Sequence, residues 1–118
     1  MSKDLKEVVW VGNSRELIRE FPKEVRITVG RALRFAQRGD KHPNAKLLRG
    51  LGSGVLEIVK SYDTNTYRAV YAVKLGEKVY VLHVFQKKSK KGKETPKQDI
   101  DLIKQRLKQA KQMEKDNE

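Results

Sequence analysis

Apolar residues along the chain follow two rhythms, and the switches between them mark out the elements. Residues 7–11, EVVWV, form a short apolar run suited to a strand. Beyond it, Leu17 and Phe21 share one helical face, and Asn13 stands at capping-box distance from Glu16. Pro22 suits the first turn of a second helix. That helix carries Val25, Val29, Ala32, Leu33 and Ala36 at helical spacing, with Gly39 as its stop. A helical hairpin or kinked helix over about 14–38 is therefore predicted. Residues 40–54, with Pro43, Asn44, Gly50, Gly52 and Gly54, read as a loop.

Three strands are predicted next. GVLEIVKSY runs to Tyr62, TYRAVYAVKL to Leu75, and KVYVLHVF follows. The breaks at Asp63-Thr64-Asn65 and Gly76-Glu77 are too short for anything but antiparallel neighbours. Thr95 as cap, Pro96 at the first position and Gln98 at the third then start a terminal helix. Its apolar stripe is Ile100, Ile103, Leu107 and Ala110, and residues 113–118 should fray. The expectation is one α+β domain over residues 1–118. An N-terminal helical hairpin and a C-terminal helix pack on one face of an antiparallel sheet with a three-stranded meander. The other sheet face is left open.

Charge changes this picture. The net charge is +12 and the pI about 10. Such a balance favours nucleic acid, an anionic membrane or an acidic protein as partner, the bland alternative being a surface that keeps the protein soluble. No strong basic amphipathic helix with bulky aromatics appears, which argues against a membrane. The opening residues MSKDLKE lack an apolar signal region, so a soluble, cytoplasmic protein is expected. The absence of cysteine excludes disulfides, thiolate metal sites and a cysteine nucleophile.

The densest charge lies in a basic loop over residues 86–95, where Lys87, Lys88, Lys90, Lys91 and Lys93 follow the last strand. Period two in the neighbouring strand sets Tyr67, Ala69, Tyr71 and Val73 on one side and Arg68, Val70, Ala72 and Lys74 on the other. Arg68 can form a salt bridge with Glu57 over the open face. It can also converge with the lysines at the sheet rim on an anion, arginine being suited to bidentate phosphate recognition. His83 in the last strand is open to a packed role or a catalytic one, and His42 has the weaker claim. Two histidines without ligand spacing give no metal signal. GLGSG leads into a strand, so it is no phosphate-binding fingerprint, and no Ser-His-Asp set can be argued. No cofactor is expected. RNA chemistry fits such a chain, because the ribose 2′-hydroxyl is the nucleophile. The protein then has to orient it, stabilise phosphate charge and move protons.

The order GVLEIV, TYRAVYAV, VYVLHVFQKKSKKGKETPKQDIDLIKQRL resembles the HigB-like, phage-derived branch of the RelE/ParE toxin superfamily. The telling parts are YRAVY in a central strand, then F-x-K-K-S with a following TP-x-x-D-I helix start, and the upstream KLLRGLGSGVLEI also fits. The likeness covers about residues 8–110. It implies a type II toxin that cuts mRNA on the ribosome without a metal, with a helix-turn-helix antitoxin as partner. Carried over by position, the strand arginine is Arg68 and the basic pair is Lys87 and Lys88. Lys60, Lys90, Lys91 and Lys93 are expected to bind RNA. The chain departs from the RelE pattern where lysines give way to Glu57 and Val59, and where the tyrosine beyond the basic pair is missing. Tyr62, Tyr71 and His83 are the stand-ins for the general base. The competing readings are a ParE-like toxin acting on another target such as DNA gyrase, and a basic RNA-binding module.

Overall fold

A computed structural model of the chain describes residues 5–87 and 95–117. Chain order is β1 (Glu7–Trp10), α1 (Ser14–Arg19), α2 (Lys23–Gln37), β2 (Ala45–Leu47), β3 (Val55–Tyr62), β4 (Asn65–Leu75), β5 (Lys78–Lys87) and α3 (Lys97–Asp116). The five strands form one sheet in the order β1-β5-β4-β3-β2. The chain thus leaves one edge, crosses a face as α1 and α2, and enters the far edge as β2.

The meander forms as its turn residues dictate. Tyr62 pairs with Asn65 around Asp63 and Thr64, both at positive φ, and Leu75 pairs with Lys78 around Gly76 at φ +57°. Positive φ matches the strand twist that a two-residue hairpin needs. Helix α2 stops at Gly39, whose φ of +84° is left-handed and whose N–H donates to the Ala36 carbonyl.

Three expectations are corrected here. The sheet is mixed: β1 runs parallel to its neighbour β5. Residues 45–47, read as loop, form an edge strand against β3. Helix α3 covers the face expected to be open. On that face Val55, Val70, Ala72, Tyr80 and Leu82 pack with Ile103, Leu107 and Ala110 of α3. On the opposite face Ile58, Ala69, Tyr71, Val79 and Val81 pack with Val25, Val29, Ala32 and Leu33 of α2. The physical reason is that Val70, Ala72 and Leu82 form a continuous apolar surface too large to leave in water, at roughly 25 cal/mol per Å².

The caps also differ from expectation. Pro96, not Thr95, is the residue before the first helical turn of α3, and no side chain caps it. Asn13 precedes α1 without a side-chain cap bond. Both polar side chains are committed elsewhere.

Candidate functional site

The site grows from an irregularity in β5. Ala69 pairs with Val84 and Val70 with His83, but Tyr71 pairs with Val81. Leu82 is therefore an extra residue, a β-bulge. Strict alternation would place Leu82 and His83 on opposite faces. The bulge turns both toward α3, where His83 meets residues it could not otherwise reach.

His83 Nε2 lies 2.9 Å from Asp99 Oδ1, in the first turn of α3. Arg106, two turns along the same helix, donates from Nη1 to the Leu82 carbonyl at 3.0 Å and approaches His83 Nδ1 at 3.4 Å. Its Nη2 donates to Asn13 Oδ1 at 2.5 Å. Arginine can only donate, so the network assigns His83 the tautomer that keeps Nδ1 bare and donates from Nε2 to Asp99. Burial pushes the imidazole below its ordinary value; the hydrogen bond and charge of Asp99 oppose this, and the Arg106 charge reinforces it. The ring stacks on Phe85 with centroids 4.9 Å apart and planes at 16°. A cleft of about 300 Å³, lined by His83, Phe85, Gln86, Asp99, Glu20 and Phe21 among others, opens beside it.

Gly12 makes room for this arrangement. Its φ is +61°, and a Cβ there would lie 2.8 Å from the Arg106 guanidinium carbon. The tight link between β1 and α1 thus lets Arg106 approach backbone that any side chain would cover.

The second half of the cluster lies one strand over. Arg68 Nη1 donates to both carboxylate oxygens of Glu57, each at 3.2 Å. Arg68 is 5% exposed and Glu57 3%. Thr95 Oγ1 donates to Glu57 Oε2 at 3.0 Å, which is where the expected cap hydroxyl goes. A buried carboxylate requires donors more urgently than a helix end does, because a helix end can turn to water. Glu57 and Arg68 are diagonal neighbours across the β3–β4 pair.

The expected site residues divide accordingly. Arg68, His83 and Lys87 share the α3 side of the sheet, Phe85 pairing with Arg68 and Lys87 with Thr66. Arg68 was expected on an open face; it is covered by α3 and bonded to Glu57. Lys60 pairs with Tyr67 and so lies on the α2 side. Tyr71 is fully buried on the α2 side, and burial pushes its phenol up to about 12, so its hydroxyl stands away from the cluster. Tyr62 packs on that same side. Lys88, Lys90, Lys91 and Lys93 lie outside the described residues.

Sequence reasoning missed Asp99, Arg106, Asn13, Gly12 and Thr95 as members of the cluster. One signal was present: Arg106 sits among Ile103, Leu107 and Ala110 on the apolar stripe of α3, where a charge demands partners. Among the described residues, no group of three or more His, Asp or Glu is placed to hold a metal ion.

A family model for "Phage derived protein Gp49-like" matches residues 16–108, which includes β5 and both halves of the cluster. The chain belongs to this family. These are RelE/HigB-type toxin-like proteins, which implies an antitoxin partner. Neither the curated proteins nor the solved structures gave a match. No helix among the described residues is long and apolar enough to cross a membrane.

Proposed function

We propose that this Gp49-like chain is the toxin of a type II toxin–antitoxin pair in the HigB-like branch of the RelE/ParE superfamily, and that it cuts mRNA at the ribosome in the cytoplasm. The observation that carries the reading is the convergence of Arg68, His83 and Lys87 on one sheet face, in a chain of toxin-like family whose sequence runs on from Lys87 into further lysines. In this reading Lys87 and Lys88 hold the scissile phosphate. Arg68 supports its charge, competing for it with Glu57. Lys60, Lys90, Lys91 and Lys93 hold flanking phosphates, Lys60 from the α2 side. The 2′-oxygen attacks the adjacent phosphorus and the 5′-oxygen leaves, giving a cyclic phosphate. His83, oriented by Asp99, takes the 2′ proton on Nδ1 or returns one to the leaving oxygen, which requires Arg106 to move off that nitrogen first. A base held neutral near pH 7 suits that task.

The antitoxin of this pair is a helix-turn-helix protein with acidic residues that cover this face. Opposite charge would speed its association and make the rate salt-dependent.

One observation favours a second reading. The cation best suited to phosphate, Arg68, already binds a carboxylate, and Glu57 stands where RelE-like chains carry lysine. A toxin that binds DNA gyrase without cutting RNA would need no free arginine there. The deciding experiment is cleavage of a ribosome-bound message with end mapping. Cuts ending in a cyclic phosphate support the nuclease. Intact message together with inhibited supercoiling supports the alternative.

A further inference from the structure

Among the described residues, the most exposed large apolar side chain stands on an edge strand. Leu47 of β2 is 63% exposed. Strand β2 is the sheet edge beyond β3. Leu48 N–H donates to the Val55 carbonyl, so by antiparallel alternation Lys46 also bonds inward and Leu47 directs its N–H and C=O outward. Among the described residues neither of those groups has a backbone partner.

A cleft flanks β2 on each side. On the α2 side lies one of about 470 Å³, its floor made by Leu47, Leu56 and Val73, its rim by Lys41 and Lys74 with Asp40. On the α3 side lies one of about 490 Å³, lined by Lys46, Leu47, Leu48, Arg49, Thr95 and Ile100. Glu57, which also lines it, is already bound by Arg68 and Thr95. Any strand laid along β2 must direct alternate side chains into these two clefts. Leu47, Leu48 and Arg49 line both clefts; the first adds Leu56 and Val73 as an apolar floor, and the second adds the Lys46 cation, so apolar groups suit the first and the Lys46–Arg49 pair in the second suits an acid.

We propose that the β2 edge is a docking site for an extended segment of a partner protein in which apolar and acidic side chains alternate. The segment pairs its backbone with Leu47, sets its apolar residues over Leu47, Leu56 and Val73, and presents its acids to Lys46 and Arg49. A second copy of this chain is the wrong occupant. Self-pairing would bring Lys46 and Arg49 of two molecules together, each carrying a net charge of +12. The β2 edge lies outside the polar cluster, but its α3-side cleft shares Glu57 and Thr95 with it.

The test uses a fluorescein-labelled peptide of alternating glutamate and valine, a scrambled peptide of the same composition, and a lysine–valine counterpart. Anisotropy gives affinity, and amide exchange by NMR reports on Leu47. The alternating acidic peptide should bind and protect the Leu47 amide from exchange. Leu47→Asp and Lys46→Glu, with fold checked by circular dichroism, should each weaken binding about tenfold, or 1.4 kcal/mol. Absence of binding at millimolar peptide, equal binding of the scrambled peptide, or binding without Leu47 protection would each overturn the proposal. So would a dimer of the chain in sedimentation that Leu47→Asp dissolves.

Discussion

Arg68→Met should destabilise the protein by about 3–5 kcal/mol, because it leaves the Glu57 carboxylate buried without its cation. Glu57→Leu should cost a similar amount for the converse reason. The magnitude rests on desolvation. Both side chains are nearly sealed, at 6% and 3% exposure, and the guanidinium contacts both oxygens at 3.2 Å. Thr95 remains as a donor to Glu57, but a neutral hydroxyl cannot balance the charge. A domain of this size has about 5–15 kcal/mol in all, so either single change removes a large share. The double variant Glu57→Leu/Arg68→Met removes both charges at similar volume and should lie within about 1–2 kcal/mol of the parent, since well-packed apolar replacements of a buried pair are commonly neutral or stabilising. Urea unfolding followed by far-ultraviolet circular dichroism on all four proteins measures the coupling directly. Singles costing under about 1 kcal/mol would refute the reasoning, because that is the value of an exposed pair. The cycle also bears on the proposed toxicity. Loss of growth inhibition in Arg68→Met alone cannot separate a missing charge from a missing fold. Loss in the stable double variant assigns the effect to charge at this position. Retained toxicity there would remove Arg68 from the proposed chemistry.

Three further outcomes are expected. His83 is held below its ordinary value of 6.5, so the unfolded chain binds its proton more readily; its stabilising contribution is full above about pH 6.5 and is lost as pH falls through the folded value. His83→Gln should flatten that acid decline in urea midpoints, and an unchanged slope would contradict it. Gly12→Ala should cost about 1–2 kcal/mol from its left-handed φ of +61°, and should raise the His83 titration midpoint in NMR by moving Arg106 away; an unmoved midpoint would separate Gly12 from the cluster. Ile103→Ala should cost about 2–5 kcal/mol in the same urea assay, since its side chain is fully enclosed between α3 and the sheet; a surface-like loss would deny that α3 forms a second layer.

What the sequence disclosed was local. The meander is legible because the short breaks at Asp63-Thr64 and Gly76-Glu77 fix the antiparallel direction of each strand and the pairing next to each turn. Helices α2 and α3 are legible because their stripes repeat at 3.6 residues over several turns. What stayed hidden is nonlocal. Parallel pairing of β1 with β5 joins residues about seventy positions apart, and no periodicity records it. Strand β2 is three residues long, too short for an alternation to show. The stripe on α3 was visible, but the surface it covers was not. An arginine in mid-strand suggested a wet face, yet Glu57 and Thr95 neutralise and satisfy it beneath the helix.

The bulge is the sharpest case. VLHVF is apolar around its histidine, so adding one unpaired residue leaves no trace in composition, yet it decides which face His83 occupies. Two kinds of positive charge follow from the resulting layout. Arg68 and Arg106 are internal, bonded to Glu57, to the Leu82 carbonyl and to Asn13, and salt reaches such pairs weakly. The charge on α2 is of the other kind: Lys23, Arg26, Arg31 and Arg34 are exposed, and their attraction for any polyanion falls as salt rises. A ligand attracted by the net charge of +12 is therefore collected by the surface, whereas anything that acts through the buried arginines must first displace a carboxylate or an amide oxygen. Capture by this protein should be salt-sensitive, and the later step should depend on how firmly Glu57 and Asn13 hold their arginines.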